Sequence, residues 1–394
     1  MGVEKFTQFH KEVFKNRTNF YRIGELYGKH VVIDFVNRLY KTCIGMRSSG
    51  QNIYNKYGED VSHIYAVFNF TTGLISSGIQ PIYVIDGKPP AEKSGTLKIR
   101  ENRKRKAQEK CETIDDKTSS EYVRHFKNSF YMSSKILREC KQLLDLMGIP
   151  YVSSIGEADQ QCASLSKHYS KQISGVITED SDILIFGGTC IFKDFSLKTK
   201  DTSRISYNDI IKSMAIKSDL IRKQYGLEII DFTYENFIDF TILMGSFYTD
   251  KDGNDKKMII RGINHDGIFK LFVKNNFKIE TVLNILKENR DIIIPDGFEL
   301  YIIDKKHKYM FPEIIDPATI NINVRDPQRI KLMNFLCDDF GFDVDFTKMK
   351  IKTLVDNYTV SHTMIKQHGR FDNFRSYQIK RQHLIRRDCM TKTY

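Results

Sequence analysis

Six acidic residues follow the ends of hydrophobic runs or open the helical pattern that comes next. They are Asp34, Asp86, Glu157, Asp159, Asp180 and Asp182. Carboxylates gathered in one place repel one another unless cations lie between them. Ligand sets made only of oxygen favour Mg²⁺ or Mn²⁺, and two such ions ~3.5–4 Å apart are a standard device for phosphodiester hydrolysis. The six residues therefore indicate a two-metal hydrolytic site.

The elements that must position these residues are short, nearly continuous apolar runs, as expected of strands buried on both faces. They are "HVVIDF" (30–35), "PIYVID" (81–86), "IPYVSS" (149–154), "SGVITED" (174–180) and "TCIFKDF" (189–195). Helical patterns such as 59–77 and 135–147 lie between them. The alternation predicts an α/β fold with a mostly parallel central sheet flanked by helices, whose ligands lie off the carboxyl ends of the strands.

Each acidic residue also has an ordinary structural explanation. An aspartate after a strand often caps the next helix, and Glu157 or Asp159 in a first helical turn would favour the helix dipole. For any one residue alone, capping is the more common role. Several strand ends of this kind in one chain shift the balance towards metal binding.

Composition describes a folded globular protein with a basic surface. The 394 residues are 41% hydrophobic and 12% aromatic, and the formal net charge is +12. This charge favours a polyanionic partner such as nucleic acid, although basic proteins without one are common. The seven cysteines show no CxxC spacing, which argues against structural zinc and for reduced thiols. No apolar run reaches the ~18 residues of a membrane span and no signal-peptide pattern is present, so we expect an intracellular, non-secreted protein.

Helical periodicity dominates after about residue 205, where the strand-like runs are expected to stop. The predicted helices are 207–216, 233–246, 266–275, 279–289 and 328–340. From Arg370 the chain is polar and basic, as in a loose tail.

Longer blocks around the acidic residues resemble the flap endonucleases of the XPG-type structure-specific 5′ nucleases. These blocks are "YGKHVVID", "IQPIYVIDGKPPAEKSGTLKIR", "LLDLMGIPYVSSIGEADQQCA" and "GVITEDSDILIFGG". The resemblance covers about residues 1–370 and implies a PIN-like nuclease core. It divides the chain into an N-terminal nuclease region (1–110), the remainder of a helical arch (111–134), an internal nuclease region (135–275), a helical C-terminal portion (276–369) and a basic tail (370–394).

The activity that the resemblance implies is that of a Mg²⁺-dependent structure-specific 5′ flap endonuclease and 5′ exonuclease of DNA replication or repair. The six carboxylates match the family's ligands for two Mg²⁺ ions, for which Mn²⁺ substitutes, with Asp159 in place of a longer glutamate. Lys93 and Arg100 match the catalytic basic residues at the entrance of the arch. The implied partner is branched double-stranded DNA with a 5′ single-stranded flap.

DNA-binding roles are implied for a further set of residues. The basic run "KIRENRKRKAQEK" (98–110), with Arg103 and Lys104, resembles the arch helix and would guide a single strand; a solvated helix face is the ordinary alternative. Tyr40 matches a base-stacking residue, and Gly2 matches the family's start near the phosphates. The run "IIRGINHDGIFKLF" (259–272) resembles the family's helix–two-turn–helix, which holds duplex phosphate and K⁺.

Three further places depart from the family pattern. Phe247 stands where a further metal-site aspartate is usual, and the loop after it is longer and acidic; Asp250 or Asp252 is the candidate replacement ligand, and an exposed turn is the alternative. In the two-turn segment Gly262 and Ile263 match the family pattern, but Asn264 replaces a glycine. Asparagine tolerates positive φ better than most residues, so we expect the turn to be preserved. A segment from His368 to Arg375 is a degenerate match to the motif that docks on the sliding clamp (PCNA).

Two functions thus stay open from the sequence, and a third, a bubble- or junction-cutting enzyme, is disfavoured by the short spacing between "GKPP" and "LMGIPY". One is the active flap endonuclease, expected as a monomer in the nucleus or another site of DNA replication. The other is a branched-DNA-binding protein of the same fold whose cleavage is weakened because Phe247 cannot ligate a metal.

Overall fold

The computed structural model describes residues 19–50, 52–88, 94–249 and 255–367, and it gives only the backbone of 19, 94–100, 247–249, 255 and 358–367. The strands are β1 (Asn19–Arg22), β2 (His30–Asp34), β3 (Gln80–Ile85), β4 (Tyr151–Ser153), β5 (Ile173–Ile177), β6 (Cys190–Ser196), β7 (Asp201–Ser206), β8 (Ser246–Thr249) and β9 (Asp255–Met258).

The helices of the first half connect the strands from β2 to β6, singly or in groups of two or three. They are α1 (Phe35–Ser48), α2 (Ser62–Ser76), α3 (Ser94–Thr113), α4 (Ser120–Asn128), α5 (Ser134–Met147), α6 (Ala158–His168) and α7 (Asp182–Ile185). The later helices are α8 (Tyr207–Gln224), α9 (Tyr234–Met244), α10 (His265–Lys274), α11 (Ile279–Glu288), α12 (Phe298–Met310), α13 (Arg329–Asn334) and α14 (Val344–Gln367). Among the described residues, none of the helices combines the length and the apolar character needed to span a membrane.

Seven strands form one sheet in the order β1-β7-β6-β5-β2-β3-β4. The five strands from β6 to β4 are mutually parallel, which confirms the mostly parallel sheet predicted from the apolar runs. Strands β7 and β1 add an antiparallel edge that the sequence analysis did not predict. Their mixed polar sequences, such as "DTSRIS", carry little of the apolar signal of a central strand.

The alternation of side chains along the strands separates two hydrophobic cores. Val32 of β2 belongs to the core formed with α6 and the helices from α8 to α12. Val31 and Ile33, one residue away on either side, belong to the core formed with α1, α2, α5 and the C-terminal helices. Since successive side chains of a strand point to opposite faces, the sheet is covered by helices on both sides.

One prediction about the later part of the chain was wrong. Strands do not stop at residue 205, because β8 and β9 form an antiparallel hairpin directly after α9. The predicted helix 328–340 is α13 followed by a π-helical turn at Phe335–Asp339. The predicted strand 149–154 shortens to β4, whereas the other predicted helices are found with shifted ends.

Candidate metal and nucleic-acid site

The sheet brings the six predicted acidic residues to one edge. Asp34 is the last residue of β2, Asp86 follows β3, and Asp180 and Asp182 follow β5. Glu157 directly precedes α6, the helix that follows β4, and Asp159 lies in the first turn of that helix. Because β5, β2, β3 and β4 are neighbours and parallel, their carboxyl ends lie side by side. This parallel order is what converts residues 148 positions apart into one cluster.

Asp34 is held by protein groups on two sides. Its Oδ1 accepts a 3.3 Å hydrogen bond from the backbone amide of Asn37, and its Oδ2 accepts a 3.0 Å bond from the hydroxyl of Thr178. Asp34 therefore caps α1, which is the ordinary structural role considered in the sequence analysis. It also links the end of β2 to the end of β5 through Thr178. Capping and a place in the carboxylate cluster do not exclude each other here.

Asp86 and Asp180 are anchored in the same manner. Asp86 Oδ1 accepts a 2.7 Å hydrogen bond from the backbone amide of Ala158, so a residue of β3's end caps helix α6. Asp180 Oδ1 accepts a 3.0 Å bond from the amide of Asp182, while the amide of Asp180 donates to the hydroxyl of Thr178. These bonds fix where the carboxylates stand before any ligand arrives.

Burial and, after it, mutual repulsion disfavour the ionised carboxylates of the cluster. Burial, and next the charge of Asp86, raises the pKa of Asp34 to about 7. Burial, followed by the charges of Asp180 and Asp34, raises the pKa of Asp159 well above its usual range. A bound cation would relieve this repulsion, because positive charge favours the ionised carboxylates.

The chemistry of the donors fits a hard divalent cation, since every candidate ligand supplies carboxylate oxygen. Within the described part of the chain, however, no three histidine, cysteine, aspartate or glutamate side chains form a group that could hold a metal ion as they stand. Both oxygens of Asp34 and Oδ1 of Asp86 accept hydrogen bonds from the amides and hydroxyl named above. The carboxylates are thus gathered at one edge, and metal binding would require their oxygens to turn towards a common ion.

A lysine that the sequence analysis missed lies at this cluster. Lys308 of α12 places its Nζ 3.3 Å from Glu157 Oε2, and both side chains are about four-fifths buried. Lys193 of β6 also stands nearby: its Nζ donates a 3.0 Å bond to Ser181, between Asp180 and Asp182. Neither lysine belongs to a local pattern that sequence reading could have used, because only tertiary packing brings α12 to α6.

The two helices that span the predicted arch region are α3 and α4, which pack against each other. Arg103 is exposed on α3, and Lys104 places its Nζ 5.1 Å from the ring centre of Tyr40 and 5.5 Å from that of Tyr131. The basic helix therefore stands over the predicted base-stacking residue. Lys93 lies outside the described residues, as does Gly2, and Arg100 lies on α3 in the stretch given as backbone only.

The loop 259–264 and α10 occupy the range predicted for the helix–two-turn–helix, and the hairpin β8–β9 leads into them. Gly262 has φ +91°, and a Cβ there would lie 2.2 Å from the carbonyl oxygen of Asp291. Asn264 was expected to tolerate positive φ, but its φ is −86°. It caps α10 instead, accepting a 2.8 Å bond from the amide of Gly267, with Ile263 packed at the edge of the core.

Residue Phe247 lies in β8 opposite Lys257, one position after Ser246, whose hydroxyl is 3.0 Å from that of Tyr301. Asp250 and Asp252, the candidate replacement ligands, lie outside the described residues. The clamp-motif segment from His368 to Arg375 does so as well. The replacement ligand and the clamp motif therefore remain predictions.

Comparison with known proteins agrees with this geometry. The chain matches the XPG N-terminal domain over residues 1–107 and the XPG I-region over residues 148–246. It is 30% identical over 353 residues to Flap endonuclease 1 of Monosiga brevicollis, covering 89% of this chain and 87% of that protein. Its fold is similar to flap endonuclease-1 from Methanococcus jannaschii, with a TM-score of 0.57, 24% identity and coverage of 86% and 95%. It is also similar to the catalytic core of Rad2 in complex with a DNA substrate, with a TM-score of 0.55, 23% identity and coverage of 90% and 99%.

An α/β sheet with acidic residues along its carboxyl edge and a basic helix pair beside it is the architecture of a nuclease core. The chain belongs to the XPG-type nucleases, in their flap endonuclease family.

Proposed function

We propose that this protein is a structure-specific 5′ flap endonuclease that also acts as a 5′ exonuclease on DNA. The observation that carries the proposal is the alignment of four parallel strand ends, which gathers six carboxylates at one edge. Family membership supports the same activity, and it does not favour the alternative of a DNA-binding protein with weakened cleavage. Branched DNA of replication or repair, with a 5′ single-stranded flap, is the proposed substrate.

The six carboxylates would hold two Mg²⁺ ions, or Mn²⁺ in their place. When bound, such ions supply an activated water and stabilise the leaving oxygen, giving a 3′-hydroxyl and a 5′-phosphate. Asp34 and Asp86, fixed by their hydrogen bonds, keep the ends of β2 and β3 in register for this task. The pKa of Asp159 is raised by burial and next by the negative charges of Asp180 and Asp34, and these neighbouring charges would draw cations in.

Basic and aromatic residues around the edge would position the DNA. Lys93 and Arg100 would neutralise the scissile phosphate, and Arg103 with Lys104 would guide the single strand. Tyr40, with Lys104 over its ring, is suited to stack on a base near the cut. The segment Gly262–Ile263–Asn264 would present backbone groups to duplex phosphate, with K⁺ as the proposed ion there.

Several finer assignments complete the proposal. Asp250 or Asp252 would take the place of the carboxylate missing at Phe247. The segment from His368 to Arg375 would bind the sliding clamp, the protein would act as a monomer, and it would work in the nucleus or wherever the DNA is replicated.

The direct test incubates the purified full chain with a 5′-labelled flap duplex in Mg²⁺, in Mn²⁺ and in chelator. Asp180→Asn should lose at least about 100-fold in cleavage rate, because a neutral amide is a poor ligand for a hard cation. Asp194→Asn is the matched control: Asp194 has φ +50°, which asparagine tolerates, and its side chain is 76% exposed. Flap binding without cleavage in either metal would overturn the proposal.

A further inference from the structure

The ion pair between Lys308 and Glu157 lies at the edge of the sheet that holds the carboxylates assigned to metal binding by the proposed function. Lys308 Nζ stands 3.3 Å from Glu157 Oε2, and the side chains are 23% and 20% exposed. An ion pair with this degree of burial is screened less by salt than a surface pair. A divalent cation that binds Glu157 is therefore repelled by the ammonium group of Lys308.

The position of Lys308 is fixed by the helix that carries it. The next residue, Tyr309, is buried against Phe186, with ring centres 5.1 Å apart. The pKa of Tyr309 is raised first by burial and then by the charges of Asp182, Tyr301 and Asp180, which places this turn of α12 against the cluster. Lys308 also lies in the last turn of α12, where a cation is favoured by the helix dipole.

Coulomb's law gives the direction of the effect. A lysine ammonium and a divalent cation close to the same carboxylate repel each other, and the lysine already neutralises part of the field that would attract the metal. The lysine also lowers the repulsion between Glu157 and the other carboxylates while no metal is bound. Lys308 thus stabilises the metal-free protein and weakens the binding of metal.

We propose that Lys308 is an internal counter-ion that competes with a divalent cation for Glu157 and so sets the metal affinity of the cluster. This inference rests on the proposed function, because it takes Glu157 as a ligand. It assigns to α12 a part in metal binding, although α12 lies about 150 residues away from Glu157 along the chain. Lys308 acts through Glu157 and is a positioning residue.

The test measures Mn²⁺ binding to the full-length protein by titration calorimetry without DNA. Lys308→Met keeps the length and packing of the side chain but removes the charge, and it should lower the dissociation constant of Mn²⁺ about tenfold. Lys308→Arg keeps the charge and should bind Mn²⁺ within about twofold of the unaltered protein. A merely structural role for Lys308 would not separate these two variants by charge.

Lys287→Met is the matched control. Lys287 lies on α11 and pairs with Glu299, both with at least half of their side chains exposed, so its removal changes net charge equally but away from the cluster. Its Mn²⁺ affinity should equal that of the unaltered protein. Should Lys308→Met not fold, Lys308→Gln serves the same comparison, with urea unfolding in chelator as the check of folding.

The outcomes separate this inference from the proposed function. Tighter Mn²⁺ binding by Lys308→Met alone supports the counter-ion role. Unchanged or weaker binding, in a protein that binds Mn²⁺ and cleaves flaps, overturns the role of Lys308 and leaves the nuclease intact. Absence of any Mn²⁺ binding by the unaltered protein, together with absence of cleavage, overturns both.

Discussion

The carboxylate of Asp86 accepts a 2.7 Å hydrogen bond from the backbone amide of Ala158, 72 residues further along the chain. The bond joins the end of β3 to the first turn of α6, which carries Glu157 and Asp159. One side chain therefore caps a helix and belongs to the proposed metal site. These two roles can be separated by substitution.

Asp86→Asn should keep the stability of the protein within about 0.5 kcal/mol, because the amide oxygen still accepts the bond from Ala158. Asp86→Ala should lose about 1 kcal/mol through the missing cap. Both variants should lose flap cleavage about 100-fold or more, since neither supplies a charged ligand. Urea unfolding in chelator and cleavage in Mg²⁺ measure the two effects. Full activity of Asp86→Asn would show that its charge is not needed.

Gly262 is a position where backbone geometry excludes a side chain. Its φ is +91°, and a Cβ would approach the carbonyl oxygen of Asp291 to 2.2 Å. Gly262→Ala should shift the loop, weaken binding of nicked duplex about tenfold, and leave the cleavage rate at saturating DNA nearly unchanged. Fluorescence anisotropy and single-turnover kinetics check this separation.

Gly226→Ala is the control for that substitution. Gly226 also has positive φ, +63°, but nothing lies within 4 Å of an added Cβ. It should carry the ordinary strain of alanine at positive φ, about 1 kcal/mol, with unchanged DNA affinity. Equal DNA affinities for the two variants would argue against a duplex contact at Gly262.

Arg222 is 1% exposed and joins α8 to the end of α10. Its guanidinium donates to the carbonyl of Val273 and the side chain of Asn276, each at 2.8 Å, and to the carbonyl of Glu228. Arg222→Met should destabilise the protein by about 3 kcal/mol, because these acceptors lose a charged donor in a buried place. Lys223→Met, at the exposed neighbouring position, should change stability by less than about 0.5 kcal/mol. Urea midpoints that coincide for the two variants would contradict this account.

His30 opens β2, and burial lowers its pKa to about 4 from 6.5. Its Nε2 is buried and has no hydrogen-bond partner within the described part of the chain. The folded protein therefore keeps this ring neutral at a pH where the unfolded chain already binds a proton. The contribution of His30 to the free energy of unfolding is therefore complete above pH 6.5 and is lost as the pH falls towards 4.

The unaltered protein should lose about 2 kcal/mol more than His30→Gln between pH 7.5 and pH 5. Urea unfolding at the two pH values measures the difference, in chelator to keep metal binding out of the comparison. His168→Gln is the control. Because His168 is exposed, the stability of this variant should depend on pH as that of the unaltered protein does. If His30→Gln lost as much stability as the unaltered protein between the two pH values, His30 would be excluded as the source of the loss.

The sequence by itself determined the central sheet and the six acidic positions. Buried parallel strands need apolar residues on both faces, so β2, β3 and β5 appear as continuous apolar runs with an aspartate at or just after their ends. Because parallel strands end at one edge, the placement of Asp34, Asp86 and Asp180 along the same edge followed from the topology without coordinates. That part of the site is encoded locally, strand by strand.

Only the tertiary structure decided what surrounds those carboxylates. The bond from Ala158 to Asp86 and the pair of Lys308 with Glu157 join segments 72 and 151 residues apart, and no periodicity along the chain reports such contacts. The hairpin β8–β9 escaped prediction because its strands are four residues each, too short for a pattern of period two to stand out. Local sequence determines which strand end carries a carboxylate, whereas the packing of distant helices determines which charged side chain lies beside that carboxylate.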